Sequence, residues 1–248
     1  DASTTLAYHF SEADGPAVDA TAYATNPASF TAERNPASLV GGGVRLAPGQ
    51  SISIPATSAL RLTNGGALTL SAWLRIEQAQ DGDVAALQDQ GRELVFGLRG
   101  TKLYARLVGG SAPVELVQAT GELATGTWHH VALRVGDGRL ALFLDGVDVG
   151  SVDAEAPEIG GTLTIGAAAG GTSPITAELD VLQVSNVARS ADWLRAAARG
   201  QGIDSSLVAY GQDAQKEGSG PGYLSIIAKN HTIDAWVVIA ICSVMLVY

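Results

Sequence analysis

Cysteine, methionine and aromatic residues are scarce in this chain, and basic residues are outnumbered by acidic ones. The 248 residues include one cysteine, Cys242, and one methionine, Met245. A single cysteine excludes an intrachain disulfide, so a stable fold has to depend on its hydrophobic core. With 25 acidic and 15 basic residues the formal net charge is −10. This balance argues against a nucleic-acid partner, because phosphate backbones are bound by basic surfaces.

The remaining composition is that of a protein that can bury a core. Hydrophobic residues make up 46% of the chain and charged residues 16%, and this length suits one large β-sandwich or two small domains. The chain starts at Asp1 rather than at a methionine. We expect a processed or truncated N-terminus, through removal of a signal peptide or loss of an upstream domain.

A hairpin pattern lies near the middle of the chain, at Thr127–Gly146. Apolar residues alternate with other residues on both sides of Asp137-Gly138, a dipeptide that supplies the positive φ values of a type I′ turn. A second such dipeptide, Asp145-Gly146, turns the chain into Val147–Val152. The pattern therefore predicts three successive antiparallel strands.

Short apolar or alternating segments, separated by turn signals, make up most of residues 1–188. This spacing is typical of an antiparallel β-sandwich, and no helical period competes with it. Besides the three strands above, we expect strands at Leu6–Phe10, Val44–Leu46, Ser51–Ile54, Leu68–Ile76, Val84–Leu87, Glu93–Leu98, Lys102–Val108, Val114–Ala119, Thr162–Gly166 and Ala177–Ser185.

Several of these segments also occur together in a known family. Trp-His-His-Val-Ala at 128–132 is followed by a Gly turn, an apolar strand and Leu-Asp-Gly at 144–146. Leu6–Phe10 with Val18-Asp19, Leu68–Leu74, and Ile165-Gly166 with Glu178–Ser185 lie around it in matching order. Over roughly residues 4–195 the chain resembles laminin G-like domains of the concanavalin A-like lectin/glucanase superfamily. The resemblance implies a two-sheet sandwich but no single ligand, since this fold carries lectins, glycanases, lyases and adhesive modules.

The sequence changes character after residue 188. We expect a short helix at Ser190–Gly200, with Ser190 as its N-cap and Gly200 as its terminating residue. Trp193 is the expected anchor that docks this helix on the sandwich. The polar, Gly-rich residues that follow indicate a linker, so residues 189–222 are predicted to be helix and linker.

The third predicted segment, residues 223–248, ends in an uncharged run at Ala235–Tyr248. Its roughly 14 residues would span about 21 Å as a helix, short of a ~30 Å hydrocarbon core, but the run stops only where the given chain stops. We expect the start of a transmembrane helix rather than a buried core helix, since a helix that is apolar all round needs lipid or other subunits around it. Leu224–Asn230 would lie along the membrane surface. The expected anchor residues are Trp236, Val237, Val238, Ile239, Ile241, Val244 and Leu246.

Asn230–Ile239 carries a second resemblance. It is similar to the entry into the first transmembrane helix of bacterial proteins in which an extracytoplasmic laminin G-like module precedes a proton-channel subunit of the MotA/TolQ/ExbB family. The resemblance implies a ring of channel subunits with a second membrane subunit, in a bacterial inner membrane, and a sandwich in the periplasm or outside the cell. The later helices that carry the ion path in that family are not part of this sequence, so no functional residue is transferred.

A glucanase-like pattern at Glu178–Gln183 is incomplete. Glucanases of the superfamily place carboxylates on alternate residues of one strand, so that they face the same cleft. Glu178 and Asp180 have this spacing, but the third position is Gln183, which cannot exchange a proton as an acid would. We therefore expect no enzymatic activity, and an anchored glycanase is the least favoured alternative.

Two other residue groups have binding chemistry but a simpler structural interpretation. His129 and His130 are neighbours on a strand, so their side chains point to opposite faces and cannot chelate one ion; we expect one inside and one outside. Tyr8, Trp73 and Tyr104 have faces that can stack on sugars, but aromatic residues in strands belong more often to the core.

A calcium ion is the ligand that the laminin G-like resemblance favours. Such domains often carry one ion, and Ca²⁺ prefers carboxylate and carbonyl oxygens. The resemblance places Asp19 near the loop after the first strand and Asp180 on a late strand, so these two are the candidate metal ligands. The alternative is that both are loop acids or bond to neighbouring backbone.

Together these features predict an extracytoplasmic binding or assembly domain with a transmembrane anchor, as the N-terminal part of a MotA/TolQ/ExbB-type ion-driven channel subunit. A stand-alone membrane-anchored module that recognises a glycan or a protein is the alternative. The expected partners are a membrane, further copies of the chain, a second membrane subunit, and a glycan or envelope protein.

Overall fold

The computed structural model describes residues 1–110 and 112–201, and within them the chain forms two antiparallel sheets and an α-helix. In chain order the elements are β1 Thr4–Tyr8, β2 Ser29–Phe30, β3 Glu33–Asn35, β4 Gly43–Leu46, β5 Ile52–Ile54, β6 Leu68–Arg75, β7 Gly82–Asp89, β8 Arg92–Arg99, β9 Lys102–Val108, β10 Val114–Val117, β11 His129–Gly136, β12 Arg139–Leu144, β13 Val147–Asp153, β14 Thr162–Ile165, β15 Ala177–Ser185 and α1 Ala191–Gln201.

The strands divide between two sheets that face each other. The first sheet has the order β13-β12-β11-β6-β15-β4-β3, with β1 also paired to β15, and the second has the order β10-β9-β8-β7-β14-β5-β2. Alternate side chains of each strand point into the space between the sheets. On β11 these are Val131, Leu133 and Val135, all fully buried in a core cluster that draws on both sheets. The predicted antiparallel sandwich is confirmed.

The central three-stranded meander has the predicted turns. Asp137 and Gly138 have φ values of +55° and +70°, and Asp145 and Gly146 have +51° and +76°. Both pairs are left-handed at both positions, as a type I′ turn requires. The turns set the register in which Val131 lies opposite Leu144.

Helix α1 covers an apolar part of the first sheet's outer face. Ala132, Ala141 and Phe143 on that face form a buried cluster with Leu194 of the helix. The Trp193 N–H donates to the Ser190 hydroxyl at 3.2 Å, so Ser190 is the N-cap. Leu194, not Trp193, is the buried anchor, because Trp193 lies at the edge of the cluster and is only partly buried.

The differences from the sequence prediction lie at edges and ends. β2 and β3 were not predicted, because two or three mostly polar residues on an edge show no alternation. The helix continues through Gly200 to Gln201, so Gly200 does not end it. Among the residues the structure describes, no helix is both long and apolar enough to cross a membrane. The predicted span at Ala235–Tyr248 and the residues before it from 202 onward lie outside the described part.

We expect Gly146→Ala to destabilise the domain more than Gly138→Ala does. Both glycines have a left-handed φ, so each substitution costs about 1–2 kcal/mol of backbone strain. A Cβ on Gly146 would also lie on the backbone of Arg195, whereas at Gly138 the nearest atom is 3.6 Å away. Overpacking against α1 adds roughly 1–3 kcal/mol. Urea unfolding of both variants measures the difference, and equal losses would show that the turn does not support the helix.

Candidate functional site: a groove between helix α1 and strand β1

A groove of about 830 Å³ lies on the outer face of the first sheet, beside α1. Its floor includes Ala7 of β1 and Gln183 of β15, which are cross-strand partners. Trp193 of α1 contributes to one wall, and the loop 20–23 contributes to the other. Residues from the beginning of the chain and from the end of the described part therefore line the same groove.

Asp19 holds the loop wall in place. One oxygen of its buried carboxylate accepts the N–H groups of Ala7 and Thr21, both at 3.0 Å. The other accepts the Thr21 hydroxyl and the Thr25 N–H, both at 2.8 Å. Ala20 adds a backbone bond to Ala7, at 2.9 Å. This network fixes the backbone of the loop against β1, beside the floor of the groove.

Arg189 holds the helix wall in place. Its guanidinium donates to the hydroxyls of Ser185 and Thr4, both at 3.0 Å, and pairs with the Asp1 carboxylate at 2.7 Å. The same group lies 4.5 Å from the centre of the Trp193 ring, within the range of a cation–π contact. Arg189 is therefore a positioning residue for the aromatic side chain of the wall.

The groove presents polar atoms that the rest of the described chain does not use. The Tyr23 hydroxyl, the His9 ring, the Gln183 amide and the Trp193 indole N–H make no hydrogen bond to any described residue. Tyr23 is 49% exposed although its side chain is large and aromatic. A concave site with aromatic faces and free donors and acceptors can bind a polar organic ligand.

The outer face of the second sheet is different, because its polar side chains bond to one another. Glu93 accepts from Gln88 at 2.9 Å and pairs with Arg106 at 2.7 Å. The Tyr104 hydroxyl donates to Glu115 at 3.2 Å. A ligand on this face would have to compete with these bonds, so the groove is the stronger candidate site.

The candidate calcium ligands are bonded to N–H groups. Asp180 accepts from Val40 at 2.9 Å and from Val181 at 2.8 Å, and its burial raises the pKa of the carboxyl. N–H donors point at Asp19 in the same way, and a cation would have to displace them. No cluster of three His, Cys, Asp or Glu side chains that could hold a metal occurs in residues 1–110 and 112–201. These contacts do not fit a calcium site at either carboxylate, and calcium binding stays a prediction from the resemblance alone.

Asp180 instead stabilises a bulge in β15. The strand pairs with β4 up to Leu179 and with β1 from Leu182. Between them Val181 has a φ of +45°, which is an outlier for a β-branched residue. The carboxylate of Asp180 accepts from the Val181 N–H at this bulge and from the Val40 N–H in the segment that leads into β4.

Glu178, the first carboxylate of the incomplete glucanase-like pattern, is held in ion pairs within the sheet. It pairs with Arg45 of β4 at 2.9 Å and with Arg75 of β6 at 3.3 Å. Asp180 is fully buried on the same strand. Both side chains therefore serve the sheet, and neither is open for a reaction with a sugar.

The two adjacent histidines point to opposite faces of β11, as expected, but both are largely covered. The Ala124 N–H donates to Nε2 of His129 at 3.0 Å, so Nδ1 carries the proton that is shared with Asp145 at 2.8 Å. His130 packs edge-on to Trp73, with ring centres 5.5 Å apart, and its Nδ1 has no partner among the described residues. Neither histidine faces the groove.

The aromatic residues weighed from the sequence are core residues, and the exposed ones of the groove were missed. Tyr8, Trp73 and Tyr104 are buried, which confirms the core interpretation. Tyr23 lies in a loop with no repeating pattern, and Trp193 had been assigned to packing. Tyr23 and Trp193 are brought to one site only by contacts between segments that are far apart in the sequence.

A family comparison supports the fold. A laminin G family model, described as the concanavalin A-like lectin/glucanases superfamily, matches residues 47–195, more than half of the chain. The chain belongs to this family. Comparison with curated proteins finds no match.

Solved structures with the same fold include toxin binding domains. The laminin G-like chain is 12% identical to the binding domain of Paraclostridial Mosquitocidal Protein 1, with a TM-score of 0.67 over 80% of this chain and 52% of that one. It is 14% identical to the receptor binding domain of botulinum neurotoxin D, with a TM-score of 0.64 over 80% and 53%. A botulinum neurotoxin serotype D ligand binding domain in complex with N-acetylneuraminic acid is 13% identical, with a TM-score of 0.61 over 80% and 51%. The chain thus spans about half the length of these neighbours, and the likeness shows the fold alone.

We expect Asp19→Asn to destabilise the laminin G-like domain by roughly 2–4 kcal/mol, because an amide group replaces an oxygen that accepts two hydrogen bonds. Asp14→Asn, at an exposed position with no such bonds, is the matched control and should stay within about 0.5 kcal/mol. Urea unfolding of the two variants measures both values. Excess Ca²⁺ should leave the wild-type midpoint unchanged, and a clear rise would contradict the role given to Asp19.

We expect acid to weaken the fold through His130. Burial lowers its pKa to about 4, against about 6.5 in an unfolded chain. The unfolded state therefore binds more protons between these pH values. Stability is complete above pH 6.5 and falls by roughly 3 kcal/mol as the pH drops to 4. His130→Phe should flatten this decline in urea midpoints, whereas His9→Gln, at an exposed histidine, should not. Parallel curves for wild type and His130→Phe would refute the assignment.

Proposed function

We propose that the sandwich is a non-catalytic recognition domain that binds a glycan in the groove between α1 and β1. The observation that carries the proposal is a set of aromatic side chains and of polar groups that bond to no described residue, brought together at this one site by Tyr23, His9, Gln183 and Trp193. Sugars offer hydroxyls for such donors and acceptors and apolar ring faces for aromatic side chains. The family's fold also occurs in lectins and in toxin binding domains, which agrees with a binding role.

A catalytic role has less support. Retaining and inverting glycosidases both need two carboxyl groups beside the scissile bond. Asp1 is the carboxylate that lines the groove, and it is paired with Arg189. Glu178 and Asp180 are bonded within the sheet. We therefore infer binding without hydrolysis, and no released sugar should appear after incubation with bound oligosaccharides.

Tyr23→Ala is expected to weaken glycan binding by about tenfold or more, the loss of roughly 1.4 kcal/mol that one stacked aromatic ring supplies. The probe is an array of immobilised oligosaccharides, followed by titration of the strongest binder. Tyr23 is exposed and its side chain bonds to no described residue, so the fold should tolerate the change.

Arg106→Gln is the matched control on the opposite face, where it breaks the pair with Glu93. It should leave glycan affinity unchanged. Loss of binding in Arg106→Gln with retention in Tyr23→Ala would move the site to the second sheet. No binding by the wild type to any glycan would remove the proposal.

Attachment to a membrane, as part of a MotA/TolQ/ExbB-type channel subunit, is a second proposal that rests on sequence alone. Its support is the uncharged run Ala235–Tyr248 and the entry segment Asn230–Ile239. In that arrangement the groove would face the periplasm or the cell exterior and contact a glycan or an envelope protein.

Native mass spectrometry of the complex extracted from membranes in detergent tests this second proposal. A ring of several copies with a second subunit is the expected result. Extraction as a single chain would contradict the ring, and recovery without detergent would contradict the membrane anchor.

A further inference from the structure

Among the described residues, the charged side chains at or beside the groove are those of Asp1 and Arg189, and they pair with each other at 2.7 Å. The imidazole of His9 also lines the groove, and it counts as neutral in the formal charge at pH 7. Arg189 is 9% exposed, with its remaining donors bonded to Ser185 and Thr4. No other Lys or Arg of the described residues lines the groove.

The arginines of α1 point elsewhere. Helical spacing of about 100° per residue places Trp193, Ala196 and Ala197 on the groove side. Arg195 and Arg199 fall on other faces by the same spacing. Arg195 donates to Asp192, also on α1, at 2.6 Å, and its backbone packs near Gly146. The helix therefore adds aromatic and small apolar surface to the groove but no cation.

Recognition of an acidic sugar normally needs a cation. Carboxylate and sulfate groups are bound by Arg forks or Lys, and an anion that is taken out of water without such a partner loses its hydration with nothing to replace it. The formal net charge of −10 adds a repulsive field for anions. Neutral hydroxyl and acetamido groups instead match the free amide, phenol, imidazole and indole atoms of the groove.

We propose that the groove selects neutral glycans and discriminates against sialylated, sulfated or uronic-acid sugars. The inference rests on the proposed glycan-binding function and names its ligand class. The proposed preference differs from the ligand of one structure with the same fold, the neurotoxin domain solved in complex with N-acetylneuraminic acid, which is an acidic sugar. Neutral oligosaccharides stack on Tyr23 and Trp193, and Gln183 bonds to their hydroxyls.

The test compares neutral glycans with their sialylated or sulfated counterparts on one array, using the full chain at low and high salt. We expect the strongest binders to be neutral, and addition of one acidic group to weaken binding by about tenfold or more. Equal or tighter binding of the acidic partners overturns the inference but keeps the glycan-binding function. Absence of binding to both classes overturns the glycan-binding function itself.

A substitution that adds a cation to the groove tests whether the groove itself causes the preference for neutral glycans. Gln183→Arg places a cation on the groove floor and should strengthen binding of acidic glycans, with an effect that decreases as salt rises. Gln78→Arg makes the same charge change at an exposed position in the loop between β6 and β7, and should not. Equal effects of the two variants would show that net charge, and not the groove, controls the preference.

Discussion

The buried guanidinium of Arg189 is the interaction on which the outer half of the structure depends. It bonds to Thr4 of β1 and Ser185 of β15 and lies against Trp193 of α1. Its backbone accepts a hydrogen bond from Arg134 of β11 and donates one to Thr69 of β6. Burial lowers the pKa of Arg189, and the Asp1 carboxylate compensates part of the cost of its charge. One residue, through its side chain and its backbone, thus joins four strands to the helix beside the groove.

The proposed recognition role depends on which polar groups of the described residues stay without a partner within the fold. On the outer face of the second sheet, Glu93, Arg106 and Glu115 are paired across strands, which stabilises the sheet and leaves little for a ligand. On the first sheet, α1 covers the apolar part, and the strip beside β1 stays open. Asp19 fixes the backbone of the loop beside β1, and Arg189 lies against the Trp193 ring, so both walls of the groove are held by contacts within the chain.

The fold could be predicted because its signals are local. The Asp-Gly turns at 137–138 and 145–146 need only their own φ preferences, and alternation along β11 and β12 is visible in the sequence. The bulge at Val181 could not be predicted, since its left-handed φ is imposed by the change from β4 to β1 as partner. The groove was missed for the same reason, because Tyr23 and Trp193 line one groove only through the contacts that Asp19 and Arg189 make with distant segments. Asp19 was a candidate metal ligand by resemblance alone, and in the structure three backbone N–H groups and the Thr21 hydroxyl donate to its carboxylate.

The groove is tested most directly by mapping chemical shifts while a neutral oligosaccharide is titrated into the ¹⁵N-labelled full chain. We expect the amide signals of Ala7, Tyr23 and Gln183 and the indole N–H signal of Trp193 to move together, with one dissociation constant. Perturbations confined to β8 and β9, around Glu93 and Arg106, would place the ligand on the opposite face and contradict the groove as the recognition site.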